Sequence, residues 1–217
     1  MSTAGGESLW SMGLAGFREA TASAEPTPGG GSVAGVSATL GLGLVIMALE
    51  ISARRKDALQ PEDATALIEE ARVLMDALSG DADADIRAFR AYMAALKLPR
   101  LSEEEKARRK EALQAASRRA TESPLLAARH MLEALRLAKA AVPLAHPHVV
   151  SDVGAGAGLL EGALKAVLFS VDVNLPSLAD AGMKAAFAEE RAMLANQGIG
   201  LAAEVLAMVA GRLAHGP

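Results

Sequence analysis

Six aromatic side chains serve a chain of 217 residues: four phenylalanines, one tryptophan and one tyrosine, beside 20 glycines and abundant alanine. A core without rings must bury its area through backbones that approach closely. Helices faced with small residues achieve this. A β-sandwich needs aromatic and β-branched strands with frequent turns, and that texture is missing. The expected fold is all-α, a multihelical bundle of about six helices, in a single helical domain over residues 1–217. At 51% apolar residues with mixed charges, the chain is far from intrinsic disorder.

Lys and Arg number 22 against 26 Asp and Glu, a formal net charge of −4. Such a chain lacks the positive field of a non-specific nucleic-acid binder. Without cysteine there is no disulfide, thiol nucleophile or cysteine-ligated metal, which fits a reducing compartment. The start, MSTAGGESLW, has no basic segment followed by an apolar core, so a cytoplasmic protein is expected. Residues 33–49 carry no charge, but they are short for a span and contain Gly, Ser and Thr. A buried helix of a soluble bundle is the expectation, with no second stretch of that kind and no membrane partner.

A first helix is expected from Ser8 to about Ser23, with Trp10, Leu14 and Phe17 on one face. Glu25-Pro26-Thr27-Pro28 stops it, because proline disfavours helical geometry in the residue before it. Gly29, Gly30, Gly31 and Ser32 lead into the apolar helix, with Ser32 placed to cap it. Along it Gly31, Gly35, Thr39 and Gly43 form a ridge that a helix of this chain or of a second subunit could approach closely. Pro61-Glu62-Asp63 opens a third helix that runs through Ser79-Gly80 to Leu98-Pro99-Arg100, with a kink at the glycine one option. Ser102 and Glu105 make a capping box for a charged fourth helix, and Pro124 starts or kinks a fifth that reaches about Ala141. Ser151 and Asp152 open a helix that Asn174-Leu175-Pro176 closes, and a last helix runs from about Leu178 to Leu213.

The PTPGGGS segment has two readings. Free amides and the helix dipole at a glycine-rich helix start make a cradle for a polar ligand, or the segment is only a sharp turn. It is no P-loop, since no Lys-Ser/Thr follows the glycines. Asp81, Asp83 and Asp85 alternate, so they cannot all face one pocket. Asp81 reads as a cap. Asp85, four residues before Phe89, lies near the apolar seam, where a carboxylate partly withdrawn from water exchanges protons; the alternative is a solvated helix start. Arg54, Arg55 and Lys56 suit a helix C-terminus, or hold carboxylates of an anionic ligand. Asp152 reads as a cap and Asn174 as a helix end. His146 and His148 lack a spaced third ligand, so no metal is expected; His130 reads as helix surface, and neither it nor His215 has an evident partner.

Taken together these segments resemble the cyclodeaminase/cyclohydrolase family, which comprises the deaminase domain of formiminotransferase-cyclodeaminase and the free-standing methenyltetrahydrofolate cyclohydrolases. The likeness rests on Phe17, residues 22–34, Arg54-Arg55-Lys56, Asp85 with Ala88-Phe89, and Leu98-Pro99 with Glu104-Glu105-Lys106. It continues through Ser123-Pro124-Leu125, Ser151-Asp152 and Val173-Asn174-Leu175, in the family's order. The resemblance implies an all-helical bundle, a homodimer and a tetrahydrofolate substrate, with no cofactor and no metal. It gives Asp85 the proton transfer and sets Gly29, Gly30, Gly31 and Ser32, with Pro28 beside them, against the pterin or one-carbon unit. Arg54, Arg55 and Lys56 would hold the glutamate tail, and Asp152 and Asn174 would complete the polar wall. The implied activity is hydrolysis of 5,10-methenyltetrahydrofolate to 10-formyltetrahydrofolate. The alternatives are cyclisation of 5-formimidoyltetrahydrofolate with release of ammonia, and a helical protein that binds folate without turnover. Ala53, Asp57, His146 and Ser170 stand where the family usually has glycine, tyrosine, asparagine and asparagine.

Overall fold

The computed structural model describes residues 8–56 and 60–214. Six α-helices follow one another among the described residues: α1 Leu14–Thr21, α2 Gly30–Ala53, α3 Pro61–Leu96, α4 Glu103–Leu144, α5 Val150–Asn174 and α6 Ala181–Ala214. Single 3-10 turns stand at Leu9–Ser11 and Leu175–Ser177. The all-α bundle is the architecture that an aromatic-poor, alanine-rich chain calls for.

The centre is the antiparallel pair α2 and α5. A Cβ on Gly156 would lie 2.5 Å from the Gly41 carbonyl oxygen, so the two backbones touch where only glycine fits. On another side α2 meets α3, where a Cβ on Gly35 would lie 2.8 Å from that of Ala82. The small-residue ridge is thus used by a neighbour within the chain along Gly31 and Gly35, while Gly43 faces nothing within contact. The long hairpin of α3 and α4 and then α6 complete the bundle around Leu42, Leu49, Leu135, Leu160 and Leu164. Three segments, α2, α5 with its following turn, and α6, are long and apolar enough to cross a membrane by length and composition, where the sequence suggested one.

Several boundaries differ from expectation for identifiable reasons. The helix expected from Ser8 breaks at Met12-Gly13, because the first turn is pinned to α3. Asp83 accepts the Leu9 amide at 2.8 Å and the Ser8 hydroxyl at 2.6 Å, and the Trp10 indole donates to the Ser79 carbonyl. α4 runs unbroken through Pro124, so there is no separate fifth helix there. Proline cannot donate to the carbonyl of Ala120 four residues back; the Asn174 side-chain amide donates to that oxygen instead, at 2.7 Å. The capping box at Ser102 and Glu105 is present as expected. α6 starts at Ala181 rather than Leu178, with the Asp180 carboxylate accepting the Met183 amide at 2.9 Å. Near its end Arg212 donates to the carbonyls of Val142 and Ala145, which tie α6 to the close of α4.

Candidate active site

The amino end of α2 abuts the middle of α3. Gly29 is the N-cap and Gly30, Gly31 and Ser32 form the first turn, where amides have no partner inside their own helix. Gly31 meets Asp85 so closely that a Cβ there would lie 2.2 Å from the carboxylate oxygen Oδ1. The Ser32 hydroxyl donates to the other oxygen, Oδ2, at 2.7 Å. Ser32 is therefore not the cap it was expected to be: Gly29 holds that position, and the buried hydroxyl orients Asp85.

A cleft of about 450 Å3 opens beside this carboxylate. The turn contributes Pro26, Thr27 and the three glycines, α4 contributes Ala120 and Pro124, and α5 contributes Phe169, Ser170 and Asn174. From α3 come Asp85, Phe89 and Tyr92, whose spacing of four and then three sets them on one helix face. Three of the chain's six aromatic rings thus gather in one cleft. Tyr92 and Phe169 were not among the expected site residues. The available signal was the scarcity of rings combined with the register of Tyr92 on Asp85. The arrangement offers faces for a flat heterocycle, a helix start for a carbonyl or anionic oxygen, and a carboxylate able to move a proton.

The acidic trio divides among three partners, as alternate spacing on a helix requires. Asp83 holds the N-terminal turn and Asp85 faces Gly31 and Ser32. Asp81 is not a cap. It lies buried within α3 and bonds to Nδ1 of His130 at 2.7 Å, so His130 is not the partnerless surface residue that was expected. Burial pushes the Asp81 carboxyl above its ordinary value, while the bond to His130 pulls it back.

The remaining expected residues lie elsewhere. Arg54, Arg55 and Lys56 follow the other end of α2, which at about 1.5 Å per residue is roughly 36 Å from the glycines. Arg54 pairs with Glu50 at 2.9 Å, and Glu50 accepts Arg72 at the same distance. Arg72 and then Arg54 hold the Glu50 carboxyl below the usual range. Asp152 shares this far end, since α5 runs antiparallel to α2 and the His146 amide donates to Ser52 Oγ at 2.7 Å. Asp152 is no cap either: Val149 is the N-cap of α5, and Asp152 sits in its first turn. Pro28 is buried and lines a shallow groove on the outer face of α2 and α5 instead of the cleft. Within the chain the cleft therefore unites Gly29, Gly30, Gly31, Asp85 and Asn174, with Ser32 behind the carboxylate. Of the departures from the family pattern, Ser170 lines the cleft, Ala53 and His146 belong to the far end, and Asp57 lies outside the described residues, as does His215. No three potential metal ligands converge among the described residues.

Comparison with known proteins matches residues 13–193 to the family model described as formiminotransferase-cyclodeaminase. A methenyltetrahydrofolate cyclohydrolase of Methylorubrum extorquens is 35% identical, over 81% of this chain and 83% of that protein. The formimidoyltransferase-cyclodeaminases of Gallus gallus and Mus musculus are 34% and 32% identical, and the match covers 32% of their length. Among solved structures, formiminotetrahydrofolate cyclodeaminase of Thermotoga maritima superimposes with a TM-score of 0.82 over 93% of this chain and 98% of that one. At 24% identity, that last likeness speaks for the fold.

Proposed function

Since this chain belongs to the formiminotransferase-cyclodeaminase family, we propose that it is an enzyme of reduced-folate chemistry that hydrolyses 5,10-methenyltetrahydrofolate to 10-formyltetrahydrofolate. The observation that carries this reading is the Asp85 carboxylate pressed against the bare backbone of Gly31, in a cleft with three aromatic rings. The substrate's amidinium carbon is already electrophilic, so neither metal nor cofactor is required. Asp85 takes a proton from water as its oxygen bonds to that carbon. The bond from carbon to N5 then breaks, N5 takes the proton from Asp85, and the carbinol hydroxyl loses its own proton as the formyl group forms. One water is consumed and one proton released. Amides at the start of α2 and the Asn174 side chain would receive the pterin's polar edge.

Cyclisation of 5-formimidoyltetrahydrofolate with loss of ammonia is the second reading, favoured by the similarity to the vertebrate bifunctional proteins. The same carboxylate would supply the proton that the departing ammonia needs. Offering each folate separately distinguishes the two. We expect loss of methenyl absorbance from the first substrate; ammonia release from the second with no hydrolysis of the first would reassign the reaction.

We further propose a homodimer acting in the cytoplasm. Val33, Ser37, Leu40, Leu44, Met47 and Ile51 recur at alternating steps of four and three along the outer face of α2, and Leu40, Met47 and Ile51 are exposed. A two-fold axis near the middle of this stripe pairs antiparallel helices. It would set the basic run at residues 54–56 of a partner subunit beside the glycines at 29–31. The glutamate tail would then be held in trans, and a second copy rather than lipid would cover the stripe.

A further inference from the structure

A second groove lies between α3, α4 and α6. At about 640 Å3 it is larger than the cleft, with which it has only Ala88 in common. Its wall on α3 is Ala84, Ala88 and Ala91, spaced to share one helix face, and buried Leu125 of α4 and Phe187 of α6 add apolar surface. Alanines leave the space open that larger side chains would fill. Around this apolar lining stand Arg87, Arg119 and Arg129 with a single acid, Glu122. Glu122 is taken by Arg118 at 2.7 Å, and Arg129 is paired with Glu190. Arg87 and Arg119 meet no acid within ion-pair distance among the described residues. A chain of net charge −4 thus lines an apolar groove with two uncompensated guanidiniums.

We propose that this groove binds a small amphipathic anion, its apolar body on the alanine wall and its carboxylate, sulfonate or phosphate held by Arg87 and Arg119. Guanidinium forks suit such planar or tetrahedral oxyanions, and the volume is that of a small-molecule site. The groove is distinct from the folate cleft because Asp85, Phe89 and Tyr92 occupy a neighbouring face of α3 and do not line it.

The test titrates the full-length protein with the fluorescent probe anilinonaphthalene sulfonate while 5-formyltetrahydrofolate is present in excess. We expect one saturable site, weakened about tenfold or more in the double variant Arg87→Gln, Arg119→Gln. Filling the wall with Ala84→Phe should weaken it as well, and the helical circular-dichroism signal of each variant checks folding. Absence of saturable binding, an affinity that the folded double variant leaves unchanged, or competitive displacement by the folate would each overturn the proposal.

Discussion

Gly31 decides how the candidate acid is held. Its missing side chain is the space that Asp85 occupies, and a methyl group 2.2 Å from the carboxylate oxygen forces that group away from Ser32. Gly31→Ala should therefore lower turnover about 100-fold through misplacement of the acid. The cost in stability should be only about 1–3 kcal/mol, an ordinary overpacking penalty, as read by chemical denaturation. Asp81, one turn earlier on α3, makes a different prediction. Burial raises its folded value above the ordinary one near 3.8, so the native state holds that proton more tightly than the unfolded chain does. Its contribution is full below the ordinary value and is lost as pH rises through the raised one. Wild-type stability relative to Asp81→Asn should therefore fall as pH rises from the ordinary value near 3.8 through the raised one. A difference independent of pH would contradict this.

Helices meet here through positions where a side chain does not fit, and this gives paired predictions. Gly156→Ala puts a Cβ 2.5 Å from the Gly41 carbonyl, where α2 and α5 touch, and should destabilise by about 1–3 kcal/mol. Gly80→Ala, at an exposed place within α3 where a Cβ meets nothing, should stabilise by up to about 1 kcal/mol. Thermal or denaturant unfolding reads both. What was legible in the sequence follows the same division between local and distant causes. The capping box at Ser102, the proline start at Pro61 and the apolar run of α2 depend on neighbours in sequence, and they form as expected. The continuity of α4 through Pro124 depends on Asn174, and the break before α1 depends on Asp83, partners 54 and 74 or 75 residues from the groups they bind. Asp85 and the glycines were legible as candidates because motif and helix register coincide there. Tyr92 and Phe169 were not, since nothing local separates a cleft-lining ring from a core one.

At the level of the molecule, one protomer carries its candidate functional residues at two ends of α2. The acid and glycines stand at one end, and the basic run with Asp152 at the other. The proposed dimer resolves this separation and predicts complementation. Asp85→Asn and the double variant Arg54→Ala, Arg55→Ala should each be impaired alone. After their subunits are mixed and exchanged, half the dimers are hybrids with one intact site each, so activity should return to about a quarter of wild type. No recovery despite demonstrated subunit exchange would remove the dimer from the site. Asp85 bears the proposed proton transfer, and it is tested by the loss of methenyl absorbance when 5,10-methenyltetrahydrofolate meets wild type and Asp85→Asn at equal concentration. Rapid loss is expected with wild type, and a rate at least about 100-fold lower with the variant, whose helicity and folate affinity are retained. Equal rates, or a wild type no faster than buffer with both folates, would overturn the assignment.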